Sequence, residues 1–271
     1  MTKLRSYRGV RALVTGASSG IGRSLALRLA RNGARVALVA RRADELEQLA
    51  AEIRAAGGEA AALSCDVADA EQVAKTADRA REAWGGIDLL VNNAGYGHHR
   101  SFLEWSVEDI ERMMRVNYLG SVYFTKALLP QMVEQRRGWV VFVASVAGKI
   151  ASPEESAYVA TKFAMVGLAA SLSLEVEDAG VHVLTVCPGV IRTPFFDAEA
   201  LSRMAPAAKK GMVEVEPLVD AILDALAKGK HEITFPRGIA PAYAIQAIAP
   251  EFMRRAVRRN TIDALAKARG R

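Results

Sequence analysis

Tyr158 and Lys162 stand four residues apart in the segment AYVATK at 157–162. The chain continues FAMVGLAASLSLEVE, with apolar residues at helical spacing and no proline. On a helix, residues four apart share a face, so the phenol and the ammonium open onto the same space. A free tyrosine ionises near pH ~10 and is a poor acid–base group at neutrality. A cation beside it favours the phenolate and brings that pKa toward the working range. The pair is a candidate proton-transfer device, and the surrounding motifs decide how much weight it carries.

Those motifs begin near the amino terminus. VRALVT at 10–15 reads as a buried strand, Gly16-Ala17-Ser18-Ser19-Gly20-Ile21-Gly22 as a turn, and RSLALRLARNG as a helix. A dinucleotide site needs this context: Gly16 for the tight turn, Gly20 for backbone approach to a pyrophosphate, Gly22 for close helix–strand packing. The spacing is G-x-x-x-G-x-G rather than the usual G-x-G-x-x-G. ARVALVA at 34–40 is a second strand, and Arg41-Arg42 follow it. An NAD site places an acidic residue near this strand end. Here Ala40 stands there and cations follow, which favours NADP over NAD because arginine can pair with a 2′-phosphate. The other reading of the two arginines is a solvated start to the next helix. A third strand, AAALSCDV, ends in Asp66-Val67, and a helix from Asp69 to Trp84 follows. A fourth strand, IDLLV, runs into Asn92-Asn93-Ala94-Gly95, at the strand edge where such sheets bind ligands.

TGASSGIG at 15–22, NNAG at 92–95 and Y-x-x-x-K at 158–162 together resemble the short-chain dehydrogenase/reductase family, in the family order and over nearly the whole chain. The resemblance implies that Asn117, in VNYLG, is the catalytic asparagine. It implies that Ser145, ending GWVVFVAS thirteen residues before Tyr158, is the catalytic serine. Pro188-Gly189, Ile191 and Thr193 match its PG-x-x-x-T turn. In the implied roles Tyr158 exchanges a proton with the substrate oxygen, which Ser145 holds. Lys162 lowers the tyrosine pKa and bonds the nicotinamide ribose, and the Asn117 backbone carbonyl joins Lys162 to a relay through a water. Cofactor contacts implied by the matched positions are Gly16, Ser18, Ser19, Gly20, Ile21, Gly22, Arg41, Arg42, Asp66, Val67, Asn93, Ala94, Gly95, Tyr158, Lys162, Pro188, Gly189, Ile191 and Thr193. In one respect the chain departs from the pattern. Many NADP-dependent members carry a basic residue where Ser19 stands, so the NADP assignment rests on Arg41 and Arg42.

The expected fold is α/β: a Rossmann-type, doubly wound, mostly parallel seven-stranded sheet with helices on both faces. One domain spans 1–271, with a dinucleotide-binding and catalytic core at 8–195 and a substrate lid and C-terminal helical elaboration at 196–271. The family association implies a homodimer or homotetramer pairing the helices around 106–135 and 156–179. In the lid, Phe195, Phe196, Leu201 and Met204 either line an apolar pocket or form the core of a short helix.

The formal charge of +6 is concentrated at the C-terminus, where Arg254, Arg255, Arg258, Arg259, Lys267, Arg269 and Arg271 face only Glu251 and Asp263. No zinc finger or helix-turn-helix pattern accompanies it, so nucleic-acid binding is not expected. Phe252, Met253, Ala256, Val257, Ile262 and Leu265 form an apolar stripe in the same segment. The stripe is expected to pack on its own domain or a sister subunit, the other reading being peripheral contact of 250–271 with an anionic membrane. The opening MTKLRSYRG has no apolar core, and no run is seen to approach the ~18–20 apolar residues of a membrane span. Cys65 and Cys187 form neither a disulfide framework nor a metal pattern, which suits a cytoplasmic location. No metal is expected, and His98-His99, which follow the NNAG turn near the pocket mouth, are expected on a surface loop, the other reading being contact with substrate. The expected function is NADP(H)-dependent hydride transfer at the carbonyl or alcohol carbon of a small hydrophobic substrate resembling a steroid, acyl or aromatic ketone. The alternative is an NADPH-binding regulator or membrane-docked scaffold with little turnover.

Overall fold

The computed structural model describes residues 3–263 and residue 266, so Leu265, Lys267, Arg269 and Arg271 lie outside the described residues. Seven strands form one sheet: β1 (Arg11–Thr15), β2 (Arg35–Ala40), β3 (Glu59–Ser64), β4 (Leu89–Asn92), β5 (Gly138–Val143), β6 (Val181–Pro188) and β7 (Glu232–Phe235). Their order is β3-β2-β1-β4-β5-β6-β7, and every neighbouring pair is parallel. The expected mostly parallel sheet is thus wholly parallel among the described residues. The helices are α1 (Gly20–Arg31), α2 (Ala43–Ala55), α3 (Ala70–Trp84), α4 (Val107–Met114), α5 (Gly120–Glu134), α6 (Ser156–Val176), α7 (Ala198–Arg203), α8 (Pro206–Lys210), α9 (Val215–Lys228), α10 (Pro241–Ile248) and α11 (Pro250–Arg258).

Successive strand residues point to opposite faces, and each face has its own core. Ala12 and Val14 pack with Leu25 and Leu29 of α1, Leu46 and Leu49 of α2, and Leu218 and Ile222 of α9. Leu13, Val140 and Phe142 pack with Val73 of α3, Phe124 and Leu128 of α5, and Met165 and Leu172 of α6. With both faces covered, the central strands can be continuously apolar, and every residue of β5 and β6 is buried. The strand order reverses between β1 and β4, which opens a crevice at the C-terminal edge of the sheet.

One expectation from the sequence is corrected. α6 is 21 residues long and carries an 18-residue window of mean hydropathy 1.4, so by length and composition it matches a membrane span. The polar letters of its motif hide this in the sequence. Met165, Ala169, Leu172 and Val176 face the sheet, whereas Phe163 and Leu174 are exposed on the other side, so both sides of this core helix are apolar.

At the opposite edge of the sheet, Arg11 clamps the loop before β4. Its Nε and Nη2 donate to Asp88 Oδ2 and Oδ1 at 2.9 and 2.7 Å, and its backbone N–H adds a 3.0 Å bond to Oδ2. Burial alone raises the Asp88 carboxyl, but the bonds from Arg11 outweigh it and hold the group below its usual range. Removing one partner of such a pair is costly, less so here because Arg11 is partly solvated. Asp88→Ala is expected to lower stability by about 2 kcal/mol at neutral pH, read as a shift in the urea midpoint. A depressed carboxylate stabilises above its unfolded pKa of ~3.9 and loses that contribution as pH falls through the folded value. The gap between wild type and variant should therefore close in acid.

Candidate functional site

A cleft of about 1010 Å³ lies at the C-terminal edge of the strands. Its first wall is the turn after β1. Gly16 and Gly20 both adopt left-handed backbone, φ 66° and 55°, which a side chain would strain. A Cβ on Gly20 would also sit 3.2 Å from Thr193, which reaches over the turn from beyond β6. Ser19 makes no side-chain cap on α1, and the first turn of that helix carries no acidic residue. Its free N–H groups and the positive end of its dipole therefore face the cleft, an arrangement suited to an anion. Arg42 donates to Ser18 Oγ at 2.9 Å and pairs with Glu45 at 2.8 Å. Arg41 borders the cleft with no hydrogen-bond or ion-pair partner for its side chain among the described residues. Asp66 accepts from Arg112 at 2.5 Å and from the Ala68 N–H at 3.1 Å. Burial raises its carboxyl, and these bonds, with the charges of Arg112 and Arg41, more than reverse the effect.

A second wall follows β4. Thr15 Oγ1 accepts from the N–H groups of Asn93 and Ala94 at 2.9 and 3.0 Å, and Asn93 Nδ2 donates to the Thr15 carbonyl at 2.8 Å. These bonds knit the ends of β1 and β4 together, so the Asn93 side chain is spent on shaping the turn. Asn117 lies in a π-helical turn, Arg115–Leu119, between α4 and α5. Its Oδ1 accepts from the Tyr96 N–H at 2.9 Å, and its Nδ2 donates to the Tyr96 carbonyl at 2.8 Å and to Thr161 Oγ1 at 3.2 Å. The buried amide thus ties the loop after β4 to α6. An ideal Cβ on Gly95 would lie 3.2 Å from Asn117 Oδ1 and 3.7 Å from Lys162 Nζ, so a side chain there would crowd the Asn117 amide.

Between these walls sits the catalytic candidate. Ser145 leaves β5 in extended backbone, and its Oγ accepts from the Ala147 N–H at 3.0 Å. The Tyr158 phenol lies near enough to this hydroxyl for its ionisation to be affected by it. Tyr158 is 9% exposed and Lys162 only 3%. Lys162 Nζ donates to the Val143 carbonyl at 2.9 Å and lies 5.7 Å from the centre of the Tyr158 ring. Burial raises the phenol above its ordinary range, with the nearby Ser145 hydroxyl opposing and the charge of Glu155 adding. Burial also pushes the Lys162 ammonium down to about 8. The expected lowering of the tyrosine by the lysine is therefore not what this geometry gives. The ammonium addresses a carbonyl and the ring face rather than the phenol oxygen, so desolvation governs and the phenol stays protonated at neutral pH.

The remaining wall is apolar. Phe195, Phe196 and Met204 reach the cleft from the lid, and Met253, Ala256 and Val257 reach it from the inner face of α11. Of the predicted site residues, all line the cleft except Asn117 and Gly22, which stand behind it. A Cβ on Gly22 would lie 2.4 Å from the Gly16 carbonyl oxygen, so Gly22 supports the turn rather than touching a ligand. Cys187 is buried, and desolvation pushes its thiol up to about 12, which leaves it inert. Among the described residues no group of histidine, cysteine and acidic side chains could hold a metal ion.

The model of the short chain dehydrogenase family matches residues 11–203. The chain belongs to the short-chain dehydrogenase/reductase family. Oxidoreductase UcpA of Salmonella typhimurium is 41% identical over 198 residues, covering 73% of this chain and 74% of that protein. Dehydrogenase/reductase SDR family member 7B of Bos taurus is 35% identical over 244 residues, covering 85% and 75%. Among solved structures, a short-chain dehydrogenase/reductase from Burkholderia phymatum in complex with NAD superposes with a TM-score of 0.83 at 26% identity, covering 92% of this chain and 96% of its own. A metagenomic short-chain oxidoreductase in complex with NADP gives 0.72 at 29% identity, covering 84% and 96%.

One site feature was the less expected reading of the sequence, and another was not anticipated. His99, expected on the surface, lines the cleft and stacks on Phe196 at 6.5 Å. Gly97 allows the loop to lie on Tyr158, since a Cβ there would meet the ring at 2.9 Å. Only the histidine's place shortly after NNAG signalled either. The buried lysine also has a measurable signature. Its folded pKa is depressed, so the unfolded chain binds the extra proton between about pH 8 and the free-lysine value. Stability contributed by this site then rises with pH through that window and is flat below it. Lys162→Met removes the slope: its melting temperature relative to wild type should be most favourable near pH 8 and fall steadily toward pH ~10.4.

Proposed function

We propose that the chain is an NADP(H)-dependent oxidoreductase acting on the carbonyl or alcohol carbon of a largely apolar substrate. One observation carries this reading: a buried Tyr158 and Ser145 line the same cleft as an uncapped helix terminus and two arginines. The residues present fit a nicotinamide dinucleotide. Gly16, Gly20 and the α1 N-terminus would hold the pyrophosphate, and Arg41 and Arg42 a 2′-phosphate. Asp66 and Val67 would flank the adenine end, and Lys162 is placed for the nicotinamide end. NAD and NADP each occupy one of the similar solved structures, which supports a nicotinamide cofactor, and Arg41 and Arg42 support NADP. When bound, the nicotinamide supplies or accepts the hydride. Tyr158 Oη gives its proton to the substrate oxygen during reduction, and the Ser145 hydroxyl holds that oxygen as charge develops on it. A phenol that burial keeps protonated suits the direction of carbonyl reduction. The Phe195, Phe196, Met204 and Met253 walls exclude water and favour an apolar substrate body.

The same reading assigns the exposed Phe163 and Leu174 of α6, with Val133 of α5, to a subunit contact in a homodimer or homotetramer. Buried free Cys65 and Cys187 support a reducing cytoplasm. Membrane contact by α11 would use its outer face, where Phe252 and Arg255 are exposed, because Met253 and Val257 line the cleft.

Titration with NADPH and NADH, followed by nicotinamide fluorescence and then addition of apolar ketones, tests the proposal. NADPH should bind about tenfold or more tightly than NADH, and Arg41→Ala with Arg42→Ala should remove that preference. Tyr158→Phe should bind NADPH normally and lose about 10²–10⁴-fold in ketone-dependent oxidation. Preference for NADH, or full turnover in Tyr158→Phe, would contradict the proposal.

A further inference from the structure

Two loops meet on the substrate side of the cleft, residues 97–100 after β4 and residues 152–155 before α6, joined by the Arg100 N–H donating to the Glu154 carbonyl at 2.7 Å. They bring His99, Glu154 and Glu155 into the same cleft as Tyr158. The polar atoms here are incompletely matched. His99 Nε2 lies 3.6 Å from Glu155 Oε1, beyond hydrogen-bond reach. His99 Nε2 and Glu154 Oε2 are both buried without a hydrogen-bond partner among the described residues. Buried polar groups are normally paired, and two orphans on one cleft wall point to a ligand that pairs them. The neighbouring cation is already committed, since Arg203 pairs with Glu104 at 3.1 Å and Glu199 at 3.4 Å. Glu154 also holds a left-handed backbone, φ 61°, unusual for a side chain of its size. Strained residues of this kind gather at ligand sites. Phe195, Phe196, Met204 and Met253, which reach the cleft from the lid and α11, are apolar.

We propose that His99 and Glu154 form a hydroxyl-binding subsite, so that the substrate is an amphiphilic hydroxy-ketone or the corresponding diol. This deepens the reading of Tyr158 as the proton donor and rests on it. A hydroxyl donates to a carboxylate oxygen and accepts from, or donates to, an imidazole nitrogen, so this one group satisfies either orphan. Sites that hydrogen-bond a substrate hydroxyl discriminate strongly against the analogue lacking it, because the buried partners are then left unpaired. The apolar walls take the body of the molecule, and the subsite sets which end enters.

The test uses the protein–NADPH complex and a matched pair of probes, an aryl ketone bearing a hydroxyalkyl group and its analogue with methyl in place of the hydroxyl. Binding is read from the initial change in nicotinamide fluorescence on rapid mixing, before NADPH is consumed, and consumption is followed separately. Wild type should bind the hydroxylated ketone about tenfold or more tightly than its partner. That ratio should fall to about threefold or less in Glu154→Gly and in His99→Phe. Glycine is at ease at φ 61° and phenylalanine keeps the stack on Phe196, so neither variant should melt earlier or bind NADPH more weakly. Equal binding of the two ketones in wild type, a ratio that survives in both variants, or no binding of either ketone would overturn the subsite. A cationic aminoalkyl analogue bound more tightly than the hydroxyl probe would overturn the assignment to a hydroxyl. A clear ratio without NADPH consumption would leave the subsite standing and refute the reductase reading.

Discussion

The arrangement of the site depends on burying an ammonium. Taking Lys162 out of water is unfavourable, and a single 2.9 Å bond to the Val143 carbonyl offsets only part of that. The lysine can remain inside because α6 is anchored along its length on the sheet through Met165, Ala169, Leu172 and Val176. The same anchoring buries Tyr158 one turn earlier, where desolvation keeps its proton on. Both shifts run toward the neutral form, so the pair is held in the state that donates a proton from tyrosine. Core packing of α6 thereby sets acid–base character at its amino-terminal end.

Short polar ties aim the rest of the cleft at this pair. Thr15 and Asn93 join β1 to β4, and Asn117 joins the following loop to α6 through Tyr96 and Thr161. Each tie satisfies backbone groups that would otherwise be orphaned where strands end. Gly16, Gly20, Gly95 and Gly97 keep the space between these ties open, two by backbone conformation and two by lacking a Cβ. The Arg11–Asp88 clamp lies at the far edge, so stability and ligand chemistry are served by opposite ends of the same strands.

The parts legible in the sequence were those encoded locally. β1, the glycine turn and α1 were visible because alternation of apolar runs with Gly16, Gly20 and Gly22 fixes strand, turn and helix within a short span. The catalytic positions were visible because Tyr158 and Lys162 share one helix. What stayed hidden depends on contacts between distant segments. Whether His99 was on the surface or in the cleft depended on Phe196, nearly a hundred residues away. The inner face of α11 could not be told from a membrane-facing stripe until Met253 was placed beside the lid. The partner of Lys162 is a backbone carbonyl on β5, which no side-chain pattern records, and that contact separates a tyrosine tuned by charge from one governed by burial.

The most direct test of that distinction is an ultraviolet titration of tyrosinate in the protein without added cofactor, wild type minus Tyr158→Phe. If burial governs, Tyr158 contributes no tyrosinate up to pH ~10, the value for a free phenol. A tyrosinate signal that disappears in Tyr158→Phe and titrates near neutrality would contradict the account, because it would show Lys162 acting on the phenol oxygen directly.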